Sequence, residues 1–238
     1  LIAGEENIGN AFQRFAERQE KWKTIGPVPQ QTYRDLQNDY SHLRDEFFYH
    51  ENLIHMAALT HPLPREVLIV GGGDGGSAEE LLKHPSLQSV TLCEIDRGVI
   101  DLCREHFPEI SAGAYDDPRT RIVIADGTKF VADTEERFDV IMVDSTDPIG
   151  PGAVLFTREF YADCRRTLAD GGVLVTQNGI PFLQAGELKQ SIGYFGEMFQ
   201  DAFAYLATTP SYFGGPMSYG WATDDTDLRH LRDSASLR

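Results

Sequence analysis

The chain has 238 residues, about one and a half domains at roughly 150 residues per domain. Its 21 Lys and Arg against 37 Asp and Glu give a net charge of −16, which argues against nucleic acid or an anionic membrane as the main partner because both repel a polyanion. No apolar run approaches the roughly 18 residues that span a bilayer, and residues 1–10 lack the pattern of a signal peptide. Cys93, Cys103 and Cys164 have no metal-like spacing, so we predict a protein of the reducing cytoplasm.

The first part of the chain differs from the rest. Residues 1–44 are polar and poorly periodic, and we predict an N-terminal appendage there, with a helix around residues 11–23. From Asp45 the pattern sharpens, and that residue is predicted to cap a helix that ends near Pro62. Residues 45–238 then read as one α/β domain.

Short apolar runs alternate with helical segments through this domain. Strands are predicted at 67–70, 89–93, 121–124, 138–143 and 173–176, and helices at 78–83, 98–106 and 158–168. Continuous apolar strands that alternate with helices predict a parallel sheet with helices on both faces. Residues 204–209 and 217–223 are strand-like and predict a hairpin that closes the sheet with an antiparallel edge.

A glycine cluster follows the first strand and opens a helix. It satisfies G-x-G-x-x-G at Gly71, Gly73 and Gly76, and Glu94 ends the next strand 18 residues beyond Gly76. Such a loop gives a tight turn and close ligand approach, and the carboxylate accepts hydrogen bonds from ribose hydroxyls. The pattern predicts a nucleoside site without naming the nucleoside, and a purely structural turn stays open as the alternative.

Asp74 inside this loop discriminates between ligands. Two like charges about 4 Å apart cost on the order of 4 kcal/mol at an effective dielectric near 20. A pyrophosphate or the α-carboxylate of S-adenosylmethionine would meet that repulsion if Asp74 faces inward. An inward Asp74 therefore favours a ligand with a cationic end, and an outward one leaves the choice open.

Further acids end other strands. Asp126 follows the third strand, and Asp144 and Asp147 follow the fourth. The carboxyl ends of parallel strands form the ligand-binding rim of such sheets, so we expect these acids to converge with Asp74 and Glu94. No Cys or His accompanies them at ligand spacing, and we predict no metal site. Tyr212, Tyr219 and Trp221 either fill the core or wall a pocket for a cation.

These motifs resemble the polyamine aminopropyltransferases, the family of spermidine synthase. The matching blocks run from Asp45 to Thr223 in the family's order: D-E-F-F-Y-H-E, V-L-I-V-G-G-G-D-G-G, E-I-D, D-D-P-R, D-G-T-K-F, D-V-I-M-V-D-S-T-D-P-I-G-P-G, L-F-T-R-E-F-Y, T-Q-N-G and P-S-Y-F-G-G. The family's L-D-G-x-x-Q-like segment has no match in residues 35–44, and the family continues beyond the equivalent of Leu228. These two departures bear on oligomerisation and on contacts with the diamine.

The resemblance implies a Rossmann-like, methyltransferase-type domain. Its activity would transfer the aminopropyl group of decarboxylated S-adenosylmethionine to putrescine or a related diamine, giving spermidine and 5′-methylthioadenosine. Decarboxylated S-adenosylmethionine is then a co-substrate, with no cofactor or metal, and a homodimer or homotetramer is expected. A methyltransferase that uses S-adenosylmethionine and an inactive scaffold of the same fold are the alternatives.

The resemblance also implies roles for individual residues. Asp144 would be the catalytic base. Decarboxylated S-adenosylmethionine would contact Gly71, Gly73, Asp74, Glu94, Ile95, Asp126, Gly127, Asp144 and Pro151, with Glu94 on the ribose and Asp126 on the adenine amino group. The diamine would contact Tyr49, His50, Asp74, Asp144, Asp147, Gln177, Tyr212 and Trp221.

Overall fold

The computed structural model of the chain describes residues 46–148, 150–209 and 215–229. The predicted appendage over 1–44, its helix and the Asp45 cap lie outside these ranges, so the division of the chain at residue 45 stays a prediction. Within the described ranges, none of the helices has the length and apolar character needed to cross a membrane.

Seven strands in the described ranges form one sheet in the order β3-β2-β1-β4-β5-β7-β6. The strands are β1 Glu66–Gly71, β2 Ser89–Glu94, β3 Thr120–Ile124, β4 Phe138–Asp144, β5 Leu168–Gln177, β6 Asp201–Thr208 and β7 Pro216–Thr223. The first five in spatial order pair in parallel, whereas β7 runs antiparallel to both β5 and β6. The predicted α/β class, with its antiparallel C-terminal hairpin, is confirmed.

The α-helices of the described ranges are α1 Glu46–Thr60, α2 Gly76–Leu82, α3 Arg97–His106, α4 Pro108–Ser111, α5 Gly127–Asp133, α6 Arg158–Thr167 and α7 Ala185–Met198. Of these, α4, α5 and α7 were not predicted. Helix α5 has only seven residues, too few to show a helical period. Helix α7 contains three glycines, which lower its intrinsic propensity, and the burial of Phe195 and Met198 against the sheet compensates.

Two apolar cores lie on opposite faces of the sheet. In β1, Val67 and Ile69 pack into the core that α1 and α2 cover. Leu68 and Val70 point the other way, into the core that α5, α6 and α7 cover. Each central strand is therefore buried on both faces, which explains its continuous apolar sequence. It also leaves the carboxyl ends of β1, β2 and β4 as the place where polar side chains gather.

Candidate active site

A cavity of about 690 Å³ opens at the carboxyl ends of the parallel strands. Ten of the predicted site residues line it: Tyr49, His50, Gly71, Gly73, Asp74, Glu94, Ile95, Asp126, Gly127 and Asp144. They come from α1 and from the ends of four strands, so the convergence expected from strand alternation is found. A volume of this size is within the range of small-molecule sites.

The glycine loop is packed directly against the end of β4. Gly71 has φ +87°, and a Cβ built on it would lie 2.9 Å from the carbonyl carbon of Asp144. The Gly72 amide donates a hydrogen bond of 2.9 Å to the Asp144 carbonyl oxygen. Only glycine combines this backbone angle with this approach, and the loop thereby carries Asp74 to the same end of the sheet as Asp144.

The predicted nucleoside end of the cavity contains Glu94 and Asp126. Glu94 is buried, and its Oε1 accepts a hydrogen bond from the Asp96 amide. Asp126 caps α5 by accepting hydrogen bonds from the amide and hydroxyl of Thr128. The Thr128 hydroxyl is the main reason why the pKa of Asp126 is lowered, so this carboxylate stays charged where it faces the cavity.

Asp144 is held by two hydroxyl donors from different helices. The Tyr49 hydroxyl of α1 donates to Oδ1 at 2.6 Å, and the Ser77 hydroxyl of α2 donates to Oδ2 at 2.5 Å. Burial and the charge of Asp74 raise the pKa of Asp144, against the opposing effects of His50 and the two hydroxyls. A carboxylate with a raised pKa is suited to accept a proton.

His50 and Asp74 form the second charged pair of the cavity. Their closest atoms, His50 Nε2 and Asp74 Oδ2, are 3.5 Å apart, and the Asp74 side chain is 37% exposed. Burial alone would lower the pKa of His50, but Asp74 and Asp144 outweigh it and raise that pKa. Burial also opposes ionisation of Asp74, yet His50 lowers the pKa of that carboxyl. Asp74 is therefore a carboxylate that faces the cavity.

One group of side chains in the described ranges has the geometry to hold a metal ion. The ligand atoms of His50, Asp74 and Asp144 all lie within 4.8 Å of one another. Nitrogen and carboxylate ligands suit zinc, but the same two carboxylates equally suit an organic ammonium ion, and both Asp144 oxygens already accept a hydroxyl hydrogen bond. The expectation of a metal-free site stays a prediction.

Three predicted diamine contacts are not among the described residues that line the cavity. Gln177 is 3% exposed, and its amide donates to the Ser145 carbonyl and accepts from the Gly179 amide. Trp221 is 1% exposed and packs on Phe203 with 4.7 Å between ring centroids.

The third of these, Asp147, is exposed on the segment after β4. Pro151 lies in a 3₁₀ helix over Gly150–Phe156, and Tyr212 lies outside the described residues. The roles of these residues stay predictions.

The structure adds residues that the motifs did not single out. Glu46, Val99, Leu155 and Thr209 line the cavity, and Ser77 contacts Asp144 from behind it. Glu46 precedes His50 by one helical turn within the D-E-F-F-Y-H-E block, so helical periodicity could have identified it. Ser77 had no comparable signal, because a serine at the start of a helix is usually a local helix-start residue.

Comparison with known proteins identifies relatives of the chain. The family described as the spermine/spermidine synthase domain matches residues 46–231. A polyamine aminopropyltransferase of Ruegeria sp. (strain TM1040) is 54% identical over 187 residues, which cover 79% of this chain and 66% of that protein. Polyamine aminopropyltransferase 1 of Pseudomonas aeruginosa is 52% identical over 187 residues, 79% of this chain and 65% of that protein.

Solved structures agree with these matches. A crystal structure of spermidine synthase in complex with the transition-state analogue AdoDATO has a TM-score of 0.74 at 42% identity and covers 77% of this chain and 63% of its own. The crystal structure of spermidine synthase from Thermotoga maritima has a TM-score of 0.71 at 39% identity, and the match covers 77% of this chain and 61% of that one. The chain thus matches just under two thirds of the length of these proteins, and it belongs to the spermine/spermidine synthase domain family.

Proposed function

We propose that the protein is an aminopropyltransferase that makes spermidine and 5′-methylthioadenosine from putrescine and decarboxylated S-adenosylmethionine. The names of the two relatives, and the AdoDATO complex of a structural neighbour, support this class of reaction. The single observation that carries the proposal is the pair of carboxylates, Asp74 and Asp144, in one cavity with atoms within 4.8 Å of each other.

This pair selects for the charge of the ligand. An α-carboxylate on the ligand would meet two carboxylates in a partly closed cavity, where each repulsion at about 4 Å is on the order of 4 kcal/mol. An aminopropyl ammonium group, or an ammonium of the diamine, would instead neutralise them. Decarboxylated S-adenosylmethionine carries such a cationic tail in place of the amino-acid end of S-adenosylmethionine.

The nucleoside half of the ligand would occupy the other end of the cavity. Glu94 would accept hydrogen bonds from the ribose hydroxyls, and Asp126 would accept one from the adenine amino group. Ile95, which is 62% exposed at the cavity, and the backbone of Gly127 would contact the base. Beyond this co-substrate the enzyme would need no cofactor, and it would act as a homodimer or homotetramer in the cytoplasm.

Proton transfer is the step that the site must assist. One proton of the attacking ammonium passes to Asp144, the freed amine lone pair forms a bond to the carbon beside the sulfonium, and the C–S bond breaks with its electron pair on sulfur. An ammonium near pKa 10.4 and an Asp near 3.9 are mismatched by about 6.5 units, or roughly 9 kcal/mol. Burial and the neighbouring Asp74 raise the pKa of Asp144 and so reduce this mismatch.

The proposal is tested by measuring methylthioadenosine released from decarboxylated S-adenosylmethionine with putrescine, cadaverine, agmatine or spermidine as acceptor. We expect turnover with putrescine, and a loss of about 10²-fold or more in Asp144→Asn, as for removal of a general base. Asp139→Asn is the matched control, because Asp139 lies at the opposite end of β4 and binds the amides of Arg65 and Glu66. No turnover with any of the four amines, or full activity in Asp144→Asn, contradicts the proposal.

A further inference from the structure

We propose that Ser77 is a positioning residue for the Asp144 base: its hydroxyl fixes the carboxylate from behind and keeps it ionised for proton transfer. The inference rests on the proposed function for the role of Asp144 as base. The ionisation of Asp144 itself, however, can be measured without any turnover.

The hydrogen bond from Ser77 is the shorter of the two that Asp144 accepts from hydroxyl groups. Ser77 Oγ lies 2.5 Å from Oδ2, whereas the Tyr49 hydroxyl lies 2.6 Å from Oδ1. Each carboxylate oxygen therefore has a donor of its own, from α2 on one side and α1 on the other. Two such donors on separate elements fix both the position and the rotation of the carboxylate plane.

The glycine loop is what brings Ser77 to this position. Gly75, with φ +84°, turns the chain into α2 two residues before Ser77, and Gly76 allows α1 to approach. A Cβ on Gly76 would lie 2.5 Å from Nδ1 of His50. Ser77 is 0% exposed, so its hydroxyl is held in a packed environment rather than free to rotate in solvent.

Ser77 differs from Tyr49 in its access to the substrates. Tyr49 lines the cavity, but Ser77 is not one of the described residues that do so. A change at Ser77 therefore alters the environment of Asp144 without removing a contact to either substrate. This separation means that Ser77 acts on the reaction only through Asp144, and its role is measurable in the pKa of Asp144 and in the pH profile of kcat.

The two hydroxyls act against burial on the ionisation of Asp144. Burial and the charge of Asp74 favour the protonated carboxyl. The charge of His50 and the hydrogen bonds from Ser77 and Tyr49 favour the carboxylate. A protonated Asp144 cannot take the proton of the attacking ammonium. Loss of the Ser77 donor is therefore expected to raise the pKa of Asp144 and to inactivate the enzyme on the acidic side of its pH range.

The test compares Ser77→Ala with Ser77→Cys, which keeps the shape and a weaker donor. The matched control is Ser191→Ala. Ser191 lies in α7, is 1% exposed, and its hydroxyl is hydrogen-bonded to the Tyr161 hydroxyl at 3.0 Å instead of to Asp144. The pKa of Asp144 is read from its carboxyl ¹³C resonance in the intact protein, assigned with Asp144→Asn. The pH profiles of kcat and KM are measured alongside.

We expect the pKa of Asp144 to rise in Ser77→Ala, to rise less in Ser77→Cys and to stay unchanged in Ser191→Ala. In Ser77→Ala, kcat should fall about tenfold at acidic pH, the equivalent of one hydrogen bond to a charged group. It should recover in part at high pH, where the carboxylate is ionised again but its orientation is no longer fixed by Ser77. An unchanged Asp144 pKa in Ser77→Ala, or a kcat equal to that of the wild type across the pH range, overturns the inference. A wild-type protein without aminopropyl transfer overturns the proposed function, while the ¹³C measurement still decides whether Ser77 controls the ionisation of Asp144.

Discussion

Gly73 lies so close to Glu94 that a Cβ at this glycine would come within 2.7 Å of Oε2 and 2.9 Å of Val99 Cγ1. The carboxylate is the far end of a flexible side chain, so it can move away from an added methyl group at modest cost. The absence of a side chain at Gly73 therefore keeps Glu94 where it could bind a ribose. A side chain at Gly73 would disturb the position of Glu94 more than the stability of the fold.

Gly73→Ala is expected to weaken the binding of decarboxylated S-adenosylmethionine by about tenfold or more, because a displaced Glu94 would lose the hydrogen bonds that we propose it makes to the ribose. The melting temperature should change little. Gly193→Ala is the control, since a Cβ there meets nothing within 4 Å. Calorimetric titration measures both variants, and wild-type affinity in Gly73→Ala would show that Glu94 does not bind the nucleoside.

Asp74→Asn removes one of the two carboxylates that line the cavity, where we propose that the cationic tail binds. We expect affinity for decarboxylated S-adenosylmethionine to fall and affinity for S-adenosylmethionine to rise relative to it, because the repulsion of the α-carboxylate is relieved. Asp101→Asn, an exposed change next to Arg97 on α3, should alter neither. If Asp74→Asn leaves the ratio of the two affinities unchanged, Asp74 does not select for charge.

His84 is expected to make the free energy of unfolding depend on pH. Burial and the neighbouring His55 lower its pKa below the ordinary 6.5, so the unfolded chain binds more protons than the folded one near that value. The free energy of unfolding should therefore drop as the pH falls through about 6.5 and below. His50, with its raised pKa, contributes in the opposite direction.

Comparison with a variant isolates the contribution of His84. His84→Gln keeps a hydrogen-bonding group near His55, whose Nδ1 lies 2.9 Å from His84 Nε2. Urea denaturation at pH 7.5 and 5.5 should show a larger loss of stability for the wild type than for this variant. Equal losses would mean that His84 is not responsible.

Cys93 and Cys164 are expected to be alkylated only slowly in the native protein. Burial raises the pKa of Cys93 to about 11, helped by Glu94 and Asp126, and burial also raises the pKa of Cys164. Both residues should remain thiols at pH 8 and react with iodoacetamide only after unfolding. Mass spectrometry of peptides from native and denatured samples distinguishes them, and rapid labelling of native Cys93 would contradict the environment described.

Much of the sheet and of its acidic rim follows from the sequence. Apolar runs bounded by Asp or Glu locate the strands and their carboxyl ends, because a buried strand admits polar residues only where it leaves the core. Asp74, Glu94, Asp126 and Asp144 could be predicted for this reason. Because these strands run parallel, their carboxyl ends meet at one edge of the sheet, and the acids therefore line one cavity.

Side-chain direction is harder to predict in strands buried on both faces. Trp221 follows the alternation of β7 into the core against Phe203. All residues of β7 after the first are buried, so the strand has no solvent-exposed face that would show where Trp221 points. Gln177 ends its strand as the acids do, yet its amide binds the backbone of Ser145 and Gly179, in the segments that follow β4 and β5. Ser77 reaches Asp144 only through the backbone angles of the glycine loop, which sequence spacing does not specify.

We expect the cavity to accept a nucleoside that has a cationic tail and no carboxylate. Calorimetric titration of the intact wild-type protein with decarboxylated S-adenosylmethionine and with S-adenosylmethionine, in the same buffer, tests it without any turnover. We predict binding at least about tenfold tighter for the decarboxylated form, because a single unrelieved repulsion exceeds the 1.4 kcal/mol that a factor of ten requires. Equal affinity, or tighter binding of S-adenosylmethionine, would contradict the claim.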